Sequence, residues 1–254
     1  MNPISVRPGL VSVLIPCYNH GKYIDDAVES VLQQTYKNVE IIVVDAGSDD
    51  PLTRHKLAAY EKPATRVLTS PRQIFPSEAR NLAFSVAAGE YLLTLDADDL
   101  VEKTFIEKTM KRLSEDAGSG AASGKVMYFG YEEGFLDYRG GMLEDILRQM
   151  GSHLCALIRR SAWMEIGGFD ESVNDGYEDW EFWIRLTKAG WAISIVPEIL
   201  VYYRQKESSR VTEVFIHQTD LIKQLQDKHK DVYSNPFLYL KKMLDGNTGN
   251  TVTQ

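Results

Sequence analysis

Three carboxylates stand within four residues, at Asp96, Asp98 and Asp99, directly after the apolar run Tyr91–Leu95. Like charges this close repel one another, and either a solvated loop or a bound divalent cation relieves the repulsion. In an extended chain Asp96 and Asp98 point the same way, so this pair is the candidate ligand set for Mg²⁺ or Mn²⁺. Asp99 points away and suits the cap of a helix that begins near Val101. The spacing favours a metal site over a solvated loop.

A second acidic pair, Glu178 and Asp179, lies among the aromatic residues Tyr177, Trp180 and Trp183. Acids at a helix N-terminus are ordinary partners of the helix dipole, which accounts for one or two of them. Aromatic faces beside a carboxylate are also typical of a sugar site, where rings stack on C–H faces. Either acid is a candidate general base, and Glu178 and Trp180 are candidates for the acceptor side.

Two further polar segments, Pro16–Gly21 and Asp45–Asp50, each follow an apolar run. The first precedes a helical pattern, so free backbone N–H groups there can face an anion, and Tyr18 offers a ring for stacking. A turn capped by Asn19 is the alternative interpretation. Asp45 stands at the tip of a predicted strand, where its carboxylate could accept hydrogen bonds from a ribose or a base.

Buried strands alternate with amphipathic helices through the first half of the chain, and this order predicts a mostly parallel sheet flanked by helices. In such sheets ligands bind beyond the carboxyl ends of the strands, so the polar segments should converge there. The predicted strands are Val11–Pro16, Val39–Val44, Arg66–Leu68 and Tyr91–Leu95, and helical stripes begin at Ile24, Ala79 and Phe105.

The second half of the chain is less regular. The glycine-rich region Asp116–Gly141 predicts a strand near Lys125–Tyr131 within exposed loops. Further predicted elements are a helix at Asp179–Ala189, two closing strands at Ala192–Val196 and Leu200–Tyr203, and helical structure from Val211 to about Leu244. We therefore expect one α/β domain over residues 1–210 and a C-terminal helical extension with a polar tail over residues 211–254.

Charge and composition narrow the function classes. The 254 residues carry 28 Lys and Arg against 36 Asp and Glu, a net charge of −8, which argues against a nucleic-acid partner. No stretch approaches 18 consecutive apolar residues, so no transmembrane segment is predicted. The two distant cysteines, Cys17 and Cys155, suit a reducing compartment, and we expect a cytoplasmic protein. No phosphate-binding P-loop and no G-x-S-x-G elbow occurs in the sequence.

Taken in order, seven segments resemble the family 2 inverting glycosyltransferases, which have the GT-A fold of the nucleotide-diphospho-sugar transferases. The resemblance covers residues from about Val11 to about Arg204. Its segments are Val11–Ile24 (VSVLIPCYNHGKYI), Glu40–Asp50 (EIIVVDAGSDD), Ser77–Ala83 (SEARNLA), Gly89–Asp99 (GEYLLTLDADD), Gly167–Ser172 (GGFDES), Gly176–Leu186 (GYEDWEFWIRL) and Tyr202–Arg204 (YYR).

The resemblance implies a role for each matched position. The chain would be a metal-dependent transferase with a single Rossmann-like GT-A domain, and it would take a nucleotide-sugar donor, most simply a UDP-sugar. Asp179 matches the catalytic base, and Asp96 and Asp98 match the D-x-D motif, with Asp96 near the ribose and Asp98 holding Mn²⁺ or Mg²⁺ on the diphosphate. The nucleotide contacts would come from Pro16, Tyr18 and Asn19 on the first loop, Asp45 at the base, and Arg80.

Two positions depart from the family pattern. Ala46 stands where many relatives have a second acid, so Asp45 would contact the base alone. The run Tyr203-Arg204-Gln205-Lys206 replaces a Y-R-x-H pattern whose histidine can approach the metal or the diphosphate. An ammonium is a poor substitute for a neutral ligand, but Lys206 could touch the diphosphate directly, or it could be a surface charge.

Rival activities and several partners remain open at this stage. A sugar nucleotidyltransferase also uses paired acids and Mg²⁺, and a binding module could keep the pocket without turnover. A glycan of a growing polysaccharide, a lipid-linked glycan or a protein could be the acceptor. The segment Phe237–Leu244 is apolar and carries Lys241 and Lys242. Packing on the domain is its favoured role, with a homodimer contact or peripheral contact with the inner face of a membrane as alternatives.

Overall fold

Four parallel strands form the first half of the sheet in a computed structural model that describes residues 5–207 and 217–234. Their order is β3-β2-β1-β4, and Cys17, Asp45 and Thr69 lie side by side at the carboxyl ends of the first three. Most apolar side chains of β1, β2 and β4 are buried because helices cover both faces, whereas Val67 and Leu68 of the edge strand β3 are half-buried. The strands are β1 (Arg7–Cys17), β2 (Val39–Asp45), β3 (Thr65–Thr69) and β4 (Gly89–Thr94).

Five more strands continue the sheet in the order β4-β8-β6-β9-β5, with β7 paired to β6. The antiparallel ladders are short, whereas β6 and β9 form a long parallel ladder, so the described part of the sheet is mixed but mostly parallel. The predicted fold class is confirmed. The strands are β5 (Leu100–Val101), β6 (Ser119–Gly130), β7 (Gly134–Leu136), β8 (Leu157–Arg159) and β9 (Ala192–Gln205).

Successive side chains of β1 point to opposite faces of the sheet, so they enter two separate hydrophobic layers. Val13 and Ile15 pack towards α1 and α4, whereas Leu14 packs on the opposite face, towards α3, α6 and α7. The helices are α1 (Ile24–Leu32), α2 (Pro51–Ala58), α3 (Pro76–Phe84), α4 (Phe105–Glu115), α5 (Leu143–Ile146), α6 (Arg160–Ile166) and α7 (Glu178–Lys188), followed by α8 (Gln218–Lys228) and α9 (Lys230–Tyr233).

The glycine-rich region forms exposed loops only in part. The strand predicted near Lys125–Tyr131 is present but begins earlier, and Tyr131–Glu133 is exposed as predicted. Residues Ser119–Gly130 are the twelve-residue strand β6 near the middle of the sheet, and most of its first half is fully buried. A Cβ at Gly124 would lie 2.6 Å from Cβ of Leu200, and one at Gly120 would lie 2.8 Å from Cβ of Trp191. Glycine is therefore needed for close packing. The two predicted closing strands likewise form the single strand β9.

The described part of the predicted extension packs on the domain. Leu221 and Leu225 are buried, and the Nε2 atom of His229 lies 3.2 Å from Oε1 of Glu181 on α7. The predicted boundary at residue 210 and the segment Phe237–Leu244, with its proposed dimer and membrane contacts, lie outside the described residues. In the ranges 5–207 and 217–234 no helix has both the length and the apolar character needed to cross a bilayer.

Candidate active site

The loops that follow β1 and β2 are joined by Asn19. Its Oδ1 accepts hydrogen bonds from the backbone N–H groups of Asp49 and Asp50, at 3.1 and 3.0 Å, and its Nδ2 donates to Asp49 Oδ1 at 2.6 Å. The backbone of Asn19 has a φ of 58°, a left-handed conformation that Asn tolerates. The amide thus fixes the shape of the predicted nucleotide loop, and its contact with the nucleotide stays a prediction.

Asp45 lies where the sequence predicts a base contact, at the mouth of an open cleft of about 440 Å³. Its carboxylate is largely buried and accepts a hydrogen bond from the Ser48 N–H at 2.9 Å. Of the other predicted contacts on this side, Pro16 pairs with Val44 within the sheet and the half-buried Tyr18 packs against the core. The cleft is also lined by residues that the sequence analysis missed, namely Pro51, Arg54, His55, Ala58 and Thr69.

Arg80 connects two acidic segments that are distant in sequence. Its guanidinium is 2% exposed, and Nη2 donates to Asp96 Oδ1 at 2.6 Å. Its Nη1 lies 3.9 Å from Oε1 of Glu178, at the start of α7. Burial opposes the ionisation of Asp96, but the charge and hydrogen bond of Arg80, together with His153 and His20, outweigh it and lower the pKa of Asp96 below its ordinary value. The D-x-D and E-D segments therefore belong to one site.

Asp98 is held by a lysine and faces a histidine. Nζ of Lys206 lies 2.6 Å from Asp98 Oδ2 and 3.2 Å from Nε2 of His20. The other ring nitrogen of His20, Nδ1, lies 3.6 Å from Asp98 Oδ1. Burial lowers the pKa of His20, and it outweighs the opposing effect of the Asp98 charge. The departure from the family pattern at Lys206 thus falls inside the acidic cluster.

Asp99 does not cap a helix, as the sequence predicted. It is fully buried, and its Oδ1 accepts a hydrogen bond from the backbone N–H of Arg204 at 3.0 Å. Leu100 and Val101 form β5 instead of a helix, and α4 begins only at Phe105. Burial and the neighbouring charges of Asp98 and Asp96 raise the pKa of Asp99 well above its ordinary value, which favours a neutral carboxyl.

The predicted metal ligands are already engaged by cations of the chain itself. One oxygen of Asp96 is bound by the Arg80 guanidinium, and one oxygen of Asp98 by the Lys206 ammonium. In the part of the chain that the structure describes, no group of three or more His, Cys, Asp or Glu side chains is arranged to hold a metal ion. A divalent cation needs several oxygen ligands that are not already neutralised. The donor set therefore does not fit such an ion.

Asp179 lies in the first turn of α7, beside Glu178. Its Oδ1 accepts a hydrogen bond from the Trp180 N–H at 2.8 Å. Burial and the nearby charge of Glu178 raise the pKa of Asp179 to about 7, against an ordinary value of 3.8. A carboxyl with this pKa is divided between its acid and base forms at neutral pH, which suits proton transfer.

The contacts of Trp180 indicate a structural role and not a contact with the acceptor. Its ring is buried, and Nε1 donates to the backbone carbonyl of Ile146 at 2.7 Å, which fixes α5 against α7. Trp183 is fully buried as well and donates to the carbonyl of Ser152 at 3.1 Å. Buried indoles offer no open face to a sugar, so this position does not support the predicted acceptor-side role of Trp180.

Comparisons with known proteins agree with this geometry. Residues 12–167, more than half of the chain, match the model of the family described as glycosyl transferase family 2. The glycosyltransferase GlyG of Streptococcus pneumoniae is 37% identical over 125 residues, 49% of this chain and 40% of that protein. The chondroitin synthase of Escherichia coli is 28% identical over 194 residues, 72% of this chain and 27% of that protein. The chain thus spans less than half the length of these two relatives.

A solved structure shows the same fold. The structure of S. aureus TarS 1–349 in complex with UDP-GlcNAc has a TM-score of 0.68 and 21% identity, and the match covers 80% of this chain and 60% of that chain. TarS has also been solved in complex with UDP, with a TM-score of 0.67. This likeness covers most of the chain and supports the GT-A fold.

Proposed function

This chain belongs to glycosyl transferase family 2, and we propose that it transfers a sugar from a nucleotide diphosphate donor to an acceptor hydroxyl with inversion at the anomeric carbon. Of the three activities weighed from the sequence, the family match supports the transferase over the nucleotidyltransferase and the inactive binding module. A UDP-sugar is the proposed donor, because the TarS structures that resemble this chain contain UDP and UDP-GlcNAc.

The bridge made by Arg80 is the observation that carries this proposal. It holds Asp96, which follows β4, within one side chain's reach of Glu178 at the start of α7. Asp179 is the next residue along that helix, so the carboxyl with the raised pKa lies beside the donor side of the site. An inverting transfer needs this arrangement, with a base for the acceptor close to a surface that binds the donor.

Asp179 is the proposed general base. Its ionised carboxylate takes the proton from the acceptor hydroxyl as that oxygen attacks the anomeric carbon. The bond from the anomeric carbon to the diphosphate oxygen breaks, and its electron pair leaves with the nucleoside diphosphate. Burial and then the charge of Glu178 keep the pKa of Asp179 high, and the Arg80 ion pair holds Asp96 in place. General-base assistance of this kind contributes about 10²–10⁴-fold in rate.

The nucleoside is proposed to bind along the carboxyl ends of β1 to β3. Asp45 and Thr69 line the cleft there, and the loop fixed by Asn19 carries Tyr18, whose ring is proposed to stack on the base. The carboxylate of Asp45 keeps an oxygen for a base or ribose donor, since only its Oδ1 accepts the Ser48 N–H. Ala46 is buried in the core and takes no part in the contact.

Enzymes of this family commonly depend on a divalent metal ion, and Mn²⁺ or Mg²⁺ is the predicted cofactor. When bound, such an ion supplies positive charge to the leaving diphosphate. Asp96 and Asp98 are the residues that the resemblance assigns to it, but both are paired with cations of the chain. No step of the proposed reaction is therefore routed through a metal.

A saccharide hydroxyl is the proposed acceptor. The relative from Escherichia coli is a chondroitin synthase by name, which supports a growing glycan over a protein. Glu178 remains the candidate acceptor-side residue nearest to Asp179, and its side chain is partly exposed to the site.

Release of UDP tests the proposed function. The purified chain is incubated with a panel of UDP-sugars and oligosaccharide acceptors, and free UDP and the glycosylated product are measured together. We expect both to appear in equal amounts with the wild-type chain and to fall by about 10²–10⁴-fold with Asp179→Asn. Asp175→Asn, on the exposed loop before α7, is the matched control. Formation of pyrophosphate from UTP and a sugar phosphate, with no UDP from any UDP-sugar, would contradict the proposal.

A further inference from the structure

Lys206 occupies an unusual position at the edge of the acidic cluster. It follows β9 directly, and its side chain is 25% exposed, so a ligand in the site can reach it. Its Nζ lies 2.6 Å from Asp98 Oδ2 and 3.2 Å from His20 Nε2. A protonated ammonium has three N–H donors, and these two contacts use two of them. Among the contacts that the described residues make, one donor is left for a group that enters the site.

The surroundings of Lys206 hold the ammonium in place. With Nδ1 protonated, the ring of His20 faces Asp98 Oδ1 at 3.6 Å and accepts from Lys206 through Nε2. Arg204, two residues earlier, donates through Nε to the backbone carbonyl of Asp98 at 2.8 Å and lies over the Tyr23 ring at 4.6 Å. The end of β9 is thereby tied to the loop that carries Asp98, so the ammonium is positioned before a ligand arrives.

Each carboxylate of the D-x-D motif is already paired with a cation of the chain. Asp96 is paired with Arg80, and Asp98 with Lys206. A third positive charge from a metal ion would have to displace Lys206 from Asp98. An incoming diphosphate, by contrast, brings negative charge that the exposed ammonium can meet directly.

We propose that Lys206 takes the place of the divalent cation, so that its ammonium binds the donor diphosphate and transfer proceeds without a metal ion. This inference rests on the proposed function, because it needs a nucleoside diphosphate in the site. As the bond from the anomeric carbon breaks, the electron pair passes to the diphosphate oxygen, whose charge the Lys206 ammonium stabilises. The acceptor proton passes to Asp179, and no other reactant is required.

Binding of UDP with and without metal tests the inference. The wild-type chain is treated with EDTA, and the dissociation constant for UDP is measured by isothermal titration calorimetry in EDTA and again with added Mn²⁺. We expect the two values to agree within about threefold. Lys206→Ala should weaken binding by about 10- to 100-fold under both conditions, the loss that follows from removing a hydrogen bond to a charged group.

Two further variants sharpen the test. Lys108→Ala removes a lysine of α4 that pairs with Glu198 and has no described contact with the acidic cluster, and it should leave UDP binding unchanged. Lys206→His should restore a dependence on Mn²⁺, because a neutral imidazole can share an ion with Asp98. Melting curves of all the variants check that each one folds.

The outcomes separate the inference from the proposed function. Wild-type binding that requires Mn²⁺ overturns the role of Lys206 and leaves the transferase proposal intact. Equal UDP affinity for Lys206→Ala and the wild-type chain overturns it as well. If UDP, GDP and dTDP all fail to bind in both EDTA and Mn²⁺, the nucleotide-diphosphate donor itself is wrong, and the inference fails with it.

Discussion

Replacement of Asp179 by Asn should abolish transfer and at the same time stabilise the fold at alkaline pH. The carboxyl of Asp179 has a pKa of about 7 in the folded chain, against an ordinary value of 3.8. This difference corresponds to about 4 kcal/mol when the folded chain must hold the ionised form. Solvent that reaches the half-buried carboxyl reduces the figure, so we expect a gain of about 2 to 4 kcal/mol.

The sign of the stability change depends on pH. Below the unfolded pKa the carboxyl is protonated in both the folded and the unfolded chain, so its contribution to stability is fully present. As the pH rises from about 4 to about 7, the carboxyl ionises in the unfolded chain but resists ionisation in the folded chain, so stability is lost over this range. The side chain of Asn does not ionise, so the variant does not lose stability in this way. Its advantage over Asp179 should therefore be small near pH 4 and reach its full size near pH 8.

Urea unfolding at the two pH values measures this difference, and UDP release measures the transfer rate of the same preparations. Asp175→Asn removes a carboxylate from the exposed loop before α7 and should change neither quantity. A loss of activity in Asp179→Asn without a gain in stability near pH 8 would show that Asp179 does not carry an unfavourable charge. Full activity in that variant would refute the assignment of the base.

Three further predictions follow from the same contacts. The transfer rate of the wild-type chain should fall as the pH drops through about 7, because Asp179 loses its base form there, and a midpoint near pH 4 would contradict the raised pKa. Arg80→Lys keeps the charge but cannot reach both Asp96 and Glu178, so kcat/KM should fall by about 10- to 100-fold, with circular dichroism to confirm the fold. Trp180→Phe removes the buried hydrogen bond to Ile146, and urea unfolding should show a loss of about 1–3 kcal/mol while UDP affinity stays the same. An unchanged midpoint for Trp180→Phe would show that this bond is not formed.

The parallel half of the sheet could be predicted from the sequence because its local pattern and its tertiary role agree. The run Val39–Val44 is short, apolar and rich in β-branched residues, and it forms the buried strand β2. The helical stripe from Ile24 packs on one face of the sheet. A segment can be predicted from the sequence when its local pattern agrees with its place in the fold.

The first half of the strand β6 could not be predicted in the same way. Gly120 and Gly124 lower its β propensity, and nothing nearby in the sequence shows that Trp191 and Leu200 will pack against them. The long parallel ladder with β9, whose residues come about seventy positions later, stabilises this strand. The start of β6 at Ser119 is therefore a tertiary property, whereas the sequence predicts its second half, near Lys125–Tyr131.

In the candidate site, single residues could be predicted from the sequence, but the residues that they contact could not. The sequence singled out Asp45, Asp96, Asp98 and Asp179, and it singled out Arg80 through the resemblance. The partners of these residues depend on contacts that distant segments make, as with Arg80 and Glu178 or Lys206 and Asp98. His20 carried no signal in the sequence because it is an isolated histidine in a loop, and its contact with Lys206 emerges only from the fold.

The anomeric configuration of the first product tests the central claim most directly. When the chain is incubated with an α-linked UDP-sugar, proton NMR can follow the new anomeric signal before mutarotation mixes the forms, with either an oligosaccharide or water as the acceptor. The proposed single displacement, with Asp179 as the base, predicts a β-configured product in the wild-type chain and essentially none in Asp179→Asn. An α-configured first product, or an equal yield from Asp179→Asn, would contradict it.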